Sequence, residues 1–167
     1  MFPVRYTSGR FLLMALDRIE RRILALLQDN GRMSNVELAE RVGLSESPCF
    51  RRVKKLEREG VITRYSAEVD RRTLGFTVTA FVLVDMDKQP ADHADDFHAR
   101  VAAEPHIVEC HAMSGGHDYI MKVLARDIDH FSELVMQEIL EYPGVRHVES
   151  SFSLGEIKHS RALPVAS

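Results

Sequence analysis

The chain is 167 residues long and 45% hydrophobic, with a formal net charge of −3. That length buries one ordinary core or two small ones, and no apolar run reaches the ~18 residues that a membrane-spanning helix needs. Charge is unevenly spread: residues 1–76 hold 15 Lys+Arg against 10 Asp+Glu (+5), and residues 77–167 hold 7 against 15 (−8), which together give the −3. A basic first half joined to an acidic second half suggests a nucleic-acid-facing module attached to one with other duties.

Residues 1–13 carry two arginines before a short apolar patch, too short for a signal-peptide core and without a small-residue cleavage site. They are expected to be an extension, up to residue 14, with Met14 the plainer start. Residues 17–30 follow as an amphipathic helix with Ile19, Ile23, Leu26 and Leu27 inward, ended by Asn30 and Gly31.

Residues 34–59 are the most informative stretch. Ser34 caps a short helix, and Glu37 three residues on offers a capping box. Gly43 stops that helix, Ser45 caps the next, and Pro48 falls in its first turn, where a missing N–H is least costly. Cys49, Val53 and Leu56 would face inward. Ser47, Arg51, Lys54 and Arg58 fall within about 60° of one another on the opposite side, with Lys55 at its edge. Two helices around a tight turn, the second bearing a basic outer face, form a helix-turn-helix; the alternative is a merely solvated amphipathic helix. Arginine pairs with guanine edges, while lysine and serine hold phosphates. Ser45, Ser47, Phe50 and Arg51 are the candidate base or near-base contacts. Arg52, Lys54, Lys55 and Arg58 are mostly candidate phosphate contacts. Gly60 ends this helix, and residues 61–69 turn strand-like in the position of a wing, from which Arg64 and Tyr65 could reach the DNA backbone. Residues 70–76 are a linker.

The second half reads strand, helix, strand, strand, helix, strand. The strands are expected over 77–86, 106–114, 119–125 and 146–154, and the helices over 92–103 and 128–141. Two helices over one antiparallel sheet is the ferredoxin-like βαββαβ arrangement. It leaves one sheet face bare, expected to carry Phe81, Leu83, Ile107, Glu109, His111 and Leu124. Such a half-apolar face is better covered by a second subunit than left wet, so at least a dimer is expected. The fold class is therefore α+β. The expected domains are 15–69 (winged helix-turn-helix), 70–76 (hinge), 77–156 (αβ sandwich) and 157–167 (C-terminal tail).

Gly115 and Gly116 permit positive φ and expose backbone N–H groups, a carboxylate nest. Asp118 could pair with an ammonium, and Ser150 or Ser151 could add hydroxyls. The same Gly-Gly-His-Asp run also reads as a plain hairpin turn. On a strand Cys110 points away from Glu109 and His111, and the remaining histidines lack ligand spacing, so no metal is expected. Neither a Gly-x-Ser-x-Gly, a P-loop nor a GxGxxG motif is present, so no catalytic constellation or cofactor is expected.

Several stretches in this order carry a family resemblance over about residues 15–164. They are residues 16–24 (Leu-Asp-Arg-Ile-Glu-Arg-Arg-Ile-Leu), 27–32 (Leu-Gln-Asp-Asn-Gly-Arg), 37–45 (Glu-Leu-Ala-Glu-Arg-Val-Gly-Leu-Ser) and 51–62 (Arg-Arg-Val-Lys-Lys-Leu-Glu-Arg-Glu-Gly-Val-Ile). In the second half they are 108–119 (Val-Glu-Cys-His-Ala-Met-Ser-Gly-Gly-His-Asp-Tyr), 142–145 (Tyr-Pro-Gly-Val) and 154–164 (Leu-Gly-Glu-Ile-Lys-His-Ser-Arg-Ala-Leu-Pro). The chain resembles the Lrp/AsnC, or feast/famine, family of transcription regulators.

That resemblance implies a winged helix-turn-helix joined by a hinge to a ligand-sensing domain, homodimers that assemble further into octamers, double-stranded DNA as partner, and cytoplasmic, nucleoid-associated placement. It also implies a small effector, usually an amino acid, bound in clefts between dimers. The expected effector residues are Met113, Ser114, Gly115, Gly116, His117, Asp118, Tyr119, Ser150 and Ser151. Serine stands at 114 and within 150–154 where the family often has threonine, which keeps the hydroxyl. An architectural DNA-compacting protein of weak sequence preference is the second reading, and a small-ligand enzyme with a fused DNA-binding domain the third.

Overall fold

The computed structural model describes residues 16–87, 92–160 and 162–165, with the side chains of residues 92 and 93 left aside. The expected N-terminal extension lies outside these residues. The described residues form two compact units, one within 69–157 and the other of 16–68 together with 158–160 and 162–165.

The second of these units is built on three helices, α1 (Arg18–Asp29), α2 (Asn35–Val42) and α3 (Glu46–Arg58). Helix α1 starts on a full capping box: Asp17 accepts from the Glu20 amide at 2.8 Å, and Glu20 accepts from the Asp17 amide at 3.1 Å. Ser34 caps α2 by accepting from the Glu37 amide, but Glu37 turns its carboxylate to Arg41 at 2.8 Å, so the reciprocal bond expected there is absent. Gly43 ends α2 at φ 74°, a left-handed conformation suited to glycine. Ser45 occupies the N-cap of α3 without a side-chain capping bond. Ile23, Leu38, Ala39, Cys49 and Leu56 are buried at the centre, with Ile19, Leu26, Leu27 and Val53 packed around them. The inward stripes expected from the 3.6-residue period are in place.

The wing expectation meets a correction in form. Residues 63–69 are exposed and pair with no strand among the described residues. Strand-prone residues become a strand only where a neighbour takes up their backbone groups. Linker residues 70–76 form a compact turn: Asp70 accepts from the Arg72 and Thr73 amides, and Gly75 takes φ 85°.

The other unit holds β1 (Val78–Met86), α4 (Asp92–Ala103), β2 (Ile107–Ala112), β3 (Tyr119–Ala125), α5 (Ile128–Glu133) and β4 (Val145–Phe152). The sheet order is β2-β3-β1-β4, every pair antiparallel. The expected second helix is only partly α: after Glu133 it widens into a π turn over Leu134–Glu138 and tightens over Ile139–Glu141. Alternate residues of β1 (Ala80, Val82, Val84) and β3 (Met121, Val123, Ala125) meet Phe97, Phe131, Leu134 and Ile139 beneath the helices. Phe81 and Leu83 turn to the other face, as expected. Ile107 does not: a bulge between Ile107 and Glu109 reverses the phase, and Ile107 packs against the helix-covered core.

Candidate DNA interface and effector loop

On α3 the outer residues Ser47, Phe50, Arg51 and Arg58 are exposed, and Phe50 keeps 50% of its surface. Lys54 lies over the Phe50 ring, 5.6 Å from its centroid, and also reaches Glu57 at 2.7 Å. The Lys54 ammonium holds the Glu57 carboxyl below its ordinary pKa. Arg58 stands 3.8 Å from Glu59, and Arg64 is exposed. Tyr65 donates to Glu57 at 3.1 Å, which joins the start of the expected wing to α3.

Two of the expected phosphate contacts are otherwise engaged. Lys55 reaches buried Glu20 at 2.8 Å, and Arg52 pairs with Asp17 and stands 3.6 Å from Glu20. The Lys55 ammonium titrates above its ordinary value because Glu20 accepts its hydrogen bond. Asp17 titrates low, first because it accepts the Glu20 amide and then because Arg52 lies beside it. A buried carboxylate needs such partners, since desolvating an unpaired charge is costly. Arg52 and Lys55 thus hold α3 against α1, a role that pattern reading missed. The signal for it was the Asp-x-x-Glu spacing of residues 17–20, a capping box that sequence alone could have flagged.

The loop after β2 is anchored through Asp118. Its amide donates to Val84 O at 3.0 Å, its carbonyl accepts from Met113 N at 2.8 Å, and its carboxylate accepts from Met86 N at 2.7 Å. Beside it, His117 Nδ1 lies 2.9 Å from Asp85, which also faces Arg146 at 3.6 Å. Asp85 and Arg146 were not anticipated; Asp85 was legible only as a charge inside an otherwise apolar strand. Ser114, Gly115 and Gly116 are exposed, and a Cβ on either glycine would meet nothing within 4 Å. Neither glycine takes positive φ, contrary to expectation, so the local chain does not need glycine for its conformation.

The expected effector residues do not all converge. Tyr119 turns under the sheet, its hydroxyl 2.9 Å from His98 Nε2 and its ring 4.7 Å from that of Phe97. Ser150 pairs in register with Val82 and Ser151 with Phe81, so their side chains lie on opposite faces. Phe81 is four strand residues from Asp85, roughly 13 Å along β1, beyond the span of one amino-acid head group. Within one chain His117 and Asp118 form one cluster and Ser151 another, with Met113 exposed at the loop's edge. Cys110 is half-buried between exposed Glu109 and His111, and burial pushes its thiol up to about 11. Among the described residues no group of three or more His, Cys, Asp or Glu is placed to hold a metal ion. No helix among them is long and apolar enough to cross a membrane.

A three-helix reader with an exposed basic recognition helix, joined to a four-stranded sandwich, defines a DNA-binding regulator with a separate sensing domain. Residues 16–63 match the family model for winged helix-turn-helix DNA-binding, and residues 79–163 match that for the Lrp/AsnC ligand binding domain. The leucine-responsive regulatory protein of Salmonella typhimurium is 39% identical over 150 residues, 90% of this chain and 92% of the relative. That of Escherichia coli K12 is 38% identical over the same span. Among solved structures, a transcriptional regulator of Neisseria meningitidis in complex with L-methionine superposes with a TM-score of 0.87 at 41% identity, covering 89% of this chain and 96% of the other. A feast or famine regulatory protein of Mycobacterium tuberculosis, also complexed with L-methionine, gives 0.82 at 31% identity, covering 91% and 100%. The chain belongs to the Lrp/AsnC family and is a DNA-binding transcription regulator with a ligand-binding domain.

Proposed function

We propose that the protein reads operator DNA with α3 as a homodimer or higher assembly, and that an amino acid bound near the Gly115–Asp118 loop alters that reading. The observation that supports it most is the division of labour on α3. Arg52 and Lys55 orient the helix against α1, which leaves Ser47, Phe50, Arg51, Lys54 and Arg58 together on the exposed face. Arg51 has the fork to read a guanine edge, and Lys54, Arg58 and Arg64 suit phosphates. Two such helices from one dimer would enter successive major grooves about one turn apart.

The effector site is built on His117, Asp118 and the exposed Ser114-Gly-Gly run, with Met113 at its edge. Because Ser151 lies far from this loop within one chain, its hydroxyl would join only across a subunit contact, in a cleft between dimers. L-methionine is the first ligand to test, since two structural relatives are solved with it. The chain is not an enzyme in this reading, and it works in the cytoplasm on the nucleoid. The test is thermal shift against the twenty amino acids, with light scattering on any hit: binding to the folded state alone raises the midpoint by mass action. No shift with any of them removes the amino-acid sensor from this reading.

A further inference from the structure

The chain returns to its DNA-binding unit at the far end. Residues 158–160 and 162–165 group with α1, α2 and α3, not with the sandwich they leave. Gln28, in the last turn of α1, engages the backbone of Leu163 with both arms. Its Oε1 accepts from Leu163 N at 2.6 Å, and its Nε2 donates to Leu163 O at 3.1 Å. A side-chain amide that satisfies both backbone groups of one residue imitates the pairing of a neighbouring strand. It fixes register without reading the side chain, and Leu163 itself is 74% exposed.

Two residues on, Val165 lines a groove of about 370 Å³ with Ile19, Ala25 and Val42, rimmed by Arg18 and Arg22. The segment therefore runs antiparallel to α1, from Gln28 back towards Arg18. Pro164 between the two contacts lacks an N–H and favours extended backbone on its neighbour. A third point of attachment is His159, 3.4 Å from Glu68.

We propose that the outer face of α1 is a docking surface for the C-terminal segment of the same chain. It would give the sandwich domain a second attachment to the DNA-binding unit, besides the covalent hinge. The own-chain segment is favoured over that of a second copy by its tether. The eleven residue-to-residue steps from Phe152 to Leu163 span at most roughly 36 Å, and such a short link gives a local concentration on the order of millimolar. The docked segment acts on the helix that positions recognition: α1 holds α3 through Asp17 with Arg52 and through Glu20 with Lys55. This inference does not depend on the identity of any effector.

The experiment uses the full chain with Ala25→Cys and Val165→Cys, which line the same groove and leave Gln28 in place, in a Cys110→Ala background, Cys49 being buried. A bis-maleimide of short span is added, and the same protein in denaturing urea gives the baseline. The expected result is a single-chain adduct, identified by mass, formed at least tenfold faster than in urea. Predominantly covalent dimers would assign the docked segment to a second copy, and a rate no greater than in urea would remove the docking altogether. Hydrogen exchange at the Leu163 amide gives a second reading that needs no new thiols. Gln28→Ala, at an exposed helical site that alanine suits, should speed that exchange at least tenfold; unchanged exchange overturns the role of Gln28.

Discussion

Asp118 is the residue at which a structural role and a ligand role can be separated. Its carboxylate already holds the Met86 amide at 2.7 Å, yet a carboxylate has lone pairs to spare for a ligand's ammonium. Asp118→Asn keeps an oxygen for the Met86 amide and removes only the charge. Asp118→Ala removes both. The lost hydrogen bond is charge-assisted but partly exposed to water, so the alanine variant should lose about 1 kcal/mol, or roughly 2–4 °C in Tm for a chain of this size. The asparagine variant should stay within about 0.5 kcal/mol of wild type. An ammonium–carboxylate bond is worth about 1.5–3 kcal/mol, so both variants should bind effector about 10- to 150-fold more weakly. Calorimetric titration with L-methionine, or with whichever amino acid shifts the wild type, measures this beside the melting curves. Wild-type affinity in the asparagine variant refutes the ammonium contact and leaves Asp118 as an anchor of the loop.

Arg51→Ala should cost about 1–3 kcal/mol of specific DNA affinity and relax preference at one base pair; a uniform loss over all sequences in a binding-site selection moves Arg51 to the phosphate contacts. Glu20→Gln should release Lys55 from α1 while Arg52 stays on Asp17, lower Tm, and strengthen non-specific DNA binding in a fluorescence anisotropy titration; unchanged binding means that Lys55 does not reach the backbone. Asp17 titrates below its ordinary value in the fold, so the stability it contributes is present above the unfolded pKa near 3.8 and is lost as pH falls through the lower folded value. The Tm gap between wild type and Asp17→Asn should therefore be widest near about pH 6 and close towards about pH 2.5; a constant gap means that the effect is not ionic.

What the sequence revealed and what it hid divide along range. The faces of α3, the inward stripe of α1 and the strand and helix order of the second half follow from periods of 3.6 and 2, which local residues determine. The helical pattern places Arg52 and Lys55 with the phosphate contacts, whereas their engagement depends on Asp17 and Glu20, each 35 residues away. Ile107 was placed on the wrong face because one bulge reverses strand phase, and no residue type marks such a bulge. Ser150 and Ser151 are adjacent in sequence but face oppositely as neighbouring strand residues, so one chain does not bring both to one site. The Gln28–Leu163 pairing spans 135 residues and uses backbone groups, which no composition or motif reports.

The division of α3 into two sets of cations bears directly on how many phosphates it can neutralise. Lys54–Glu57 and Arg58–Glu59 are surface pairs, and an exposed pair contributes only about 0–1 kcal/mol, so an approaching phosphate can displace the carboxylate. The Glu20 links are different: freeing Lys55 or Arg52 would strip partners from a side chain that is 3% exposed. Lys54, Arg58 and exposed Arg64 remain as backbone contacts, with Arg51 on a base edge. Three phosphates per copy predict a slope of log affinity against log salt of about −2.7, and two copies on one site about −5. A slope near −9 for that dimer would mean that Arg52 and Lys55 leave α1 when DNA binds, so that recognition proceeds by rearranging the α1–α3 contact. A slope near −5, steepening in Glu20→Gln, would mean that α1 holds those two cations in reserve and thereby limits sequence-independent binding.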